Sequence, residues 1–250
     1  LVGDPSTAGN LMVRNGSAEG KSRGRILAIE SFTLTVDLSA EREPGLSFPT
    51  PTPRWNRVYG TAQSTLVERV RARRFEGLTT PEVVRWSDGL VFQVVPNDQI
   101  SRVLYISDSY EPNTLCMLRR FLQPGGTFLD VGANAGVFSL VAARYVGAAG
   151  RVFSFEPSER EHLRLCDAIQ LNHLEGIVTP VRAAVGAHAG NETLRVASEP
   201  YSGHNTLGSR FSYDGVETSR LESIEMTTLD DFDRRHELSR IDLIKLDIEG

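Results

Sequence analysis

Phe128-Leu129-Asp130-Val131-Gly132-Ala133-Asn134-Ala135-Gly136 decides the fold. A compact apolar strand, Phe128 to Val131, carries an acid near its end. A turn of small residues follows, and Val137 to Val146 reads as a helix. Gly132, Ala133 and Gly136 leave room for a ligand to approach the backbone, and the first N–H groups of a helix have no partners within it. The turn is not the dinucleotide fingerprint G-x-G-x-x-G, because Asn134 stands where the second glycine should be and Val137 takes the last position. A P-loop is excluded as well, since no lysine follows.

Working outward from this turn, strands and helices alternate. Gly150 to Phe155 reads as a second strand, Glu159 to Leu171 as a helix with Leu163, Ala168 and Leu171 on one side, and Ile177 to Val185 holds a third strand. Thr193–Val196 and Ser223–Thr228 read as further strands, Asp230–His236 as a short helix, and Ile241 to Leu246 as a fourth, nearly continuous apolar core strand. Repeated βα units with apolar strands predict an α/β fold, with a mostly parallel sheet and helices on both faces. Its ligand site is expected at the carboxyl ends of the strands, where the strand order reverses.

The second strand ends in Glu156-Pro157, twenty residues beyond Gly136. A carboxylate at that tip accepts both hydroxyls of a ribose. Asp130 adds negative charge near the glycine turn, which repels a phosphate and suits a sulfonium. The pair points to an adenosine with a cationic, phosphate-free tail: S-adenosyl-L-methionine. Taken singly, Asp130 also reads as a cap for the following helix and Glu156 as an exposed strand-end acid.

The pattern resembles the FkbM family of S-adenosylmethionine-dependent methyltransferases. The likeness runs over roughly residues 105–250, from Tyr110-Glu111-Pro112 through the glycine turn and Phe155-Glu156-Pro157 to Gly203-His204-Asn205-Thr206-Leu207. It closes with Thr228-Leu229-Asp230 and Ile244-Lys245-Leu246-Asp247-Ile248-Glu249-Gly250. The resemblance implies a Rossmann-like class I methyltransferase fold and methyl transfer to a hydroxyl of a sugar, polyketide or other secondary metabolite. It implies that Asp130, Gly132 and Asn134 hold the methionine end of the cofactor, with Ala133 and Gly136 also in the cofactor site. Glu156 would then take the ribose, Pro157 and Ser158 would flank the adenine, and the Arg182–Ala183 turn would close over its edge. A class I sheet has seven strands, so this chain reads as a piece of a longer protein, truncated after the fourth core strand with that strand's outer edge unpaired.

Methyl transfer is an in-line displacement. Alignment supplies about 7–11 kcal/mol in favourable cases, against the roughly 10²–10⁴-fold of a positioned base. Asp247 is the first candidate for base or substrate anchor, because strand alternation puts Leu243, Lys245 and Asp247 on one face. Lys245 lies within an apolar strand, where an unpartnered charge is costly, and reads first as a structural ion pair with Asp130 or Glu249. His204 has the pKa range of a general base, although a lone loop histidine is more often polar surface, and Glu249 completes the catalytic candidates. Asp247 and Glu249 allow a metal, but nothing in their spacing demands one.

The N-terminal part is less informative. Residues 1–24 read as a disordered tail, and residues 25–105 as an N-terminal α+β extension with no matching family signature. The extension holds a strand pattern at 31–38, a linker containing Pro44, Pro49, Pro51 and Pro53, and a helix over 62–76. Leu90 to Val95 and Val103 to Ile106 read as strands, and Glu111–Leu122 as a helix opening on Pro112. Residues 106–250 are the expected methyltransferase domain. With 27 basic and 32 acidic residues the chain carries a net charge of -5, which argues against a general nucleic-acid binder. Lysine stands only at positions 21 and 245, so the arginines of the 62–76 helix read as a base-composition bias rather than an anion site. No apolar run approaches the roughly 20 residues of a membrane span. Cys116 and Cys166 read as buried thiols in a reducing compartment, the cytoplasm. The expected partner is a small-molecule hydroxyl acceptor. The alternatives are an NAD(P)-dependent oxidoreductase on a Rossmann fold and a non-catalytic cofactor-binding module.

Overall fold

The computed structural model describes residues 13–14, 26–30 and 65–248, except 87, 88, 108 and 213. Short strands β1 (Val13–Arg14) and β2 (Ile26–Glu30) pair antiparallel. The rest of the expected tail, the 31–38 strand pattern and the proline linker lie outside the described residues. Helix α1 (Leu66–Glu76) starts at Thr65, where a capping box joins Thr65 and Glu68 reciprocally. Strands β3 (Glu82–Arg85) and β4 (Val91–Val94) form a hairpin.

Residues 103–106 are not a strand. They end helix α2 (Gln99–Ile106), because the Asp98 carboxylate accepts the backbone N–H of Ser101 at 2.8 Å and caps the helix start. The apolar run Val103-Leu104 fits either period, and the cap decides it. Helix α3 (Pro112–Phe121) follows, with Pro112 in its first turn as expected.

The remaining elements are β5 (Thr127–Val131), α4 (Val137–Val146), β6 (Arg151–Phe155), α5 (Glu159–Leu171), β7 (Val178–Val181), β8 (Ala184–Val185), β9 (Gly190–Ala197), β10 (Thr218–Thr227), α6 (Leu229–His236) and β11 (Leu243–Leu246). The main sheet runs β1-β2-β11-β5-β6-β7, and all its pairings except β1 with β2 are parallel. Strand β2 therefore lies along the outer edge of β11 that the sequence left unpaired. Strands β8, β10 and β9 form a separate three-stranded sheet.

Period-two alternation sorts the strand side chains onto two faces. Phe128, Val152, Val178 and Leu243 pack against α4 and α5 in one cluster, which also takes Phe75, Trp86, Phe92 and Leu104 from the N-terminal part. Leu129, Val131, Phe153, Phe155 and Ile244 pack against Phe232 of α6 on the other face. Each fully buried Phe or Leu contributes about 1.5–3 kcal/mol relative to exposure. The buried face of α5 is Glu161, Leu165, Ala168 and Ile169, whereas Leu163 and Leu171 are exposed. The sequence reading chose the wrong stripe because Glu161, fully buried, does not look like a core residue.

Candidate active site

From β5 the chain moves to β6 and β7 on one side and to β11 on the other, so the strand order reverses between β5 and β11. A cleft of about 500 Å³ opens at the carboxyl ends of these strands, the place such a reversal predicts. Gly132, Ala133 and Asn134 form its floor, and Phe155, Glu156, Pro157 and Ala183 line one end. Lys245, Asp247 and Ile248 stand at the other end. Tyr110, Ile100, the loop residues Ser202, Gly203 and Asn205, and Leu194 and Met226 of the three-stranded sheet also line the cleft. Ile100 comes from the N-terminal part, to which the sequence assigned no role.

The glycine turn is closed onto itself. The N–H groups of Gly132 and Ala133 donate to Phe155 O at 3.0 and 2.9 Å, that of Asn134 to Glu156 Oε2 at 2.9 Å, and that of Ala135 to Asn134 Oδ1 at 2.8 Å. The Gly136 N–H donates to Ala133 O at 2.8 Å. Every turn amide that might cradle an anion is already occupied by one of the protein's own oxygens. The glycines serve packing more than ligand approach. A Cβ on Gly132, at φ +77°, would sit 1.9 Å from Asp247 O, and one on Gly136, at φ +86°, would sit 2.6 Å from Leu165 Cδ1. Gly136 is the N-cap of α4 and does not line the cleft.

Glu156 is buried, with Oε2 accepting from Asn134 and Oε1 accepting the Ser158 N–H at 3.0 Å. Loss of solvation, then the nearby Glu161, push its pKa up to about 8, although the two backbone donors favour the charged form. Ser158 is fully buried outside the cleft wall, with no hydrogen-bond partner for its hydroxyl. It therefore supports Glu156 through its N–H and is not placed against a ligand.

Asp130 does not face the cleft either. It is completely buried, accepts the Ser139 hydroxyl at 2.6 Å, and lies 3.5 Å from Lys245 Nζ. Alternation points Asp130 and Phe128 toward α4, the reason this acid meets a helix and a lysine rather than a ligand. Lys245 Nζ also lies 3.2 Å from Asp247 Oδ2, donates to Gly132 O at 3.4 Å, and stands 5.0 Å above the Phe138 ring. Burial disfavours its charge, but Asp130, Asp247 and Glu111 more than offset this and hold its pKa above the ordinary value. Glu111, at the left-handed N-cap of α3, accepts from Thr114 at 3.0 Å. Its carboxyl is pushed up by burial against the opposing pull of Lys245.

Asp247 and Lys245 thus meet at the cleft. His204 does not join them: Gly203 and Asn205 line the cleft, but His204 lies outside its wall, with its N–H donating to Tyr201 O at 3.0 Å. Glu249 lies outside the described residues. Asp98, Ile100, Glu111, Glu161, Ser202 and Asn205 were missed as site components. Asp98-Gln99-Ile100-Ser101 carried a legible helix-start signal, and Asn205 sat unassigned within a motif already singled out. Both cysteines are half-buried and unbridged. Among the described residues, no helix is long and apolar enough to cross a membrane.

Strand order, crossover helices and a switch-point cleft define a Rossmann-like fold of the class I methyltransferase type. Residues 130–250 match the model of the methyltransferase FkbM domain, the family that the sequence resembles. No curated protein matches. Similar solved structures include a putative rRNA-methylase from Clostridium thermocellum (22% identity, 29% of this chain and 41% of that one, TM-score 0.29). Another is a SAM-dependent O-methyltransferase from Thermotoga maritima (20% identity, 43% of each chain, TM-score 0.31). A third is TYW2 from P. horikoshii in complex with MeSAdo (18% identity, 43% and 38%, TM-score 0.34). The chain spans about two fifths of the length of these structures.

Proposed function

We propose that this chain forms the cofactor-binding part of an S-adenosylmethionine-dependent methyltransferase acting on a hydroxyl of a small molecule. The carrying observation is the closed glycine turn. Its five amides are satisfied internally and Glu156 stands against it, so a diphosphate would meet an acid and find no free donor among them. This weighs against a nicotinamide dinucleotide. The donor set fits a nucleoside without phosphate, because each Glu156 oxygen spends one lone pair on a backbone N–H and keeps another for a ribose hydroxyl.

When bound, the cofactor supplies an electrophilic methyl group. Gly132, Ala133 and Asn134 would border its amino-acid end, Glu156 its ribose, and Pro157 and Ala183 its base. Asp247, held by Lys245 at the cleft, would accept the proton of the attacking hydroxyl. Its partly exposed carboxylate supports an acceptor entering from the Ile248 side.

Titration calorimetry with S-adenosylhomocysteine and with NAD tests the reading. Wild-type protein should bind the former and ignore the latter, and Glu156→Ala should weaken binding at least about tenfold. Tight NAD binding without a response to S-adenosylhomocysteine would overturn it. Release of S-adenosylhomocysteine from S-adenosylmethionine, followed across panels of hydroxylated small molecules, amines and RNA, tests the acceptor. Turnover confined to RNA or to amines would refute the hydroxyl reading.

A further inference from the structure

The loop that covers the glycine turn is fastened by a residue far outside the methyltransferase signature. Ser202, fully buried, accepts the Asn134 side-chain Nδ2–H on its carbonyl at 2.9 Å and donates its hydroxyl to Asp98 Oδ1. Asp98 is itself buried, and its other oxygen caps α2 through Ser101. Arg164 of α5 lies 3.7 Å from Asp98 and pairs with Glu199 at 2.6 Å, and the Gln99 N–H donates to Pro200 O at 3.2 Å. Ile100, next along α2, approaches Gly203 at the cleft wall. A second fastening holds Asn205, whose amide donates to buried Glu161 at 3.1 Å and accepts the Ala197 N–H at 2.9 Å.

We infer that Asp98 is a positioning residue: through Ser202 it locks the 200–207 loop onto Asn134 and so gives the cofactor cleft its fixed outer wall. The inference rests on the reading of this cleft as a nucleoside site and adds a role for the N-terminal part in making it. A buried carboxylate that serves a helix cap, an arginine and a loop hydroxyl is expensive to desolvate unless all three are present. Removing one member therefore releases the loop rather than merely deleting a contact. Asn134 links this loop to the turn that carries Glu156, so release reaches the ribose position within two hydrogen bonds.

Hydrogen exchange and calorimetry on Asp98→Ala, Asp98→Asn and Ser202→Ala test it, each beside a thermal melt. Ser202→Ala leaves the Asp98 cap and its arginine in place, so it keeps the test alive should Asp98→Ala fold poorly. In the free protein, Ser202→Ala and Asp98→Ala should speed exchange of the Tyr201, His204 and Thr206 amides about tenfold, while β5 and β6 amides are unchanged. Affinity for S-adenosylhomocysteine should fall about tenfold in both, and Asp98→Asn, which keeps an acceptor for Ser202, should recover most of it. Unchanged loop exchange and affinity in Ser202→Ala would overturn the inference. Wild-type protein that fails to bind S-adenosylhomocysteine would instead overturn the functional reading, leaving the exchange result to judge the lock alone.

Discussion

Two strand tips bracket the cleft, and they hold their acids in opposite ways. At the tips of β5 and β11, Asp130 and Asp247 share buried Lys245, so charge is met by charge. At the tip of β6, Glu156 accepts from two backbone amides and faces a neighbouring acid, and burial pushes its carboxyl up to about 8 against the weaker pull of Lys245. The first tip is charge-paired and serves to fix the framework. The second holds acceptor capacity in reserve, which is the property a binding site needs. Neither burial nor the number of partners separates them: a cation at contact distance does.

The comparison breaks most sharply at Lys245. Lys245→Met should remove the cation paired with Asp130 and leave that buried acid without its counter-charge, costing about 3–5 kcal/mol in urea unfolding. A loss under about 1 kcal/mol would mean that the β5 tip does not depend on its ion pair.

Glu156 should respond to pH instead. The unfolded chain gives up this proton near 4.5 and the folded protein keeps it to about 8. Folded protein therefore binds more protons between those values, and its stability should fall as pH rises across that window. Glu111, also pushed up, adds in the same direction. Glu156→Gln should flatten that slope in denaturation curves measured from pH 5 to 8. The ionised carboxylate accepts ribose hydroxyls better, so affinity for S-adenosylhomocysteine should rise by up to about tenfold per unit over the same range, with proton release on binding. Affinity that is level with pH would remove Glu156 from the ribose position.

The smallest effect on stability belongs to Asp247→Asn. Its side chain is 37% exposed, so losing its pairing with Lys245 should cost about 0–1 kcal/mol by thermal melt. Methyl transfer to an accepted hydroxyl should nonetheless drop about 10²-fold or more. A variant with full turnover would strip Asp247 of its role as base.

Much of the fold was legible because it rests on local patterns. The β5 turn, α4, β6 and α5 each carry a period and a boundary within a few residues, and the structure places them where the sequence did. Residues 103–106 failed because a four-residue apolar run has no period of its own, and the deciding signal was a cap five positions upstream. Asp130 failed for another reason. An acid beside a glycine turn is adjacent in sequence to the cleft, but a strand turns successive side chains to opposite faces, and Asp130 turns toward α4.

The sequence by itself determined the strands and helices from β5 onward, the end of the sheet where the cleft opens, and Glu156 as an acid that lines it. Those follow from periodicity and from glycine, which act over a few residues. Only the tertiary structure decided which acids are neutralised, that the turn amides are spent, and that Asp98 reaches Ser202 across more than a hundred positions. Burial and pairing are properties of what the rest of the chain brings alongside a residue, and no local pattern encodes that company.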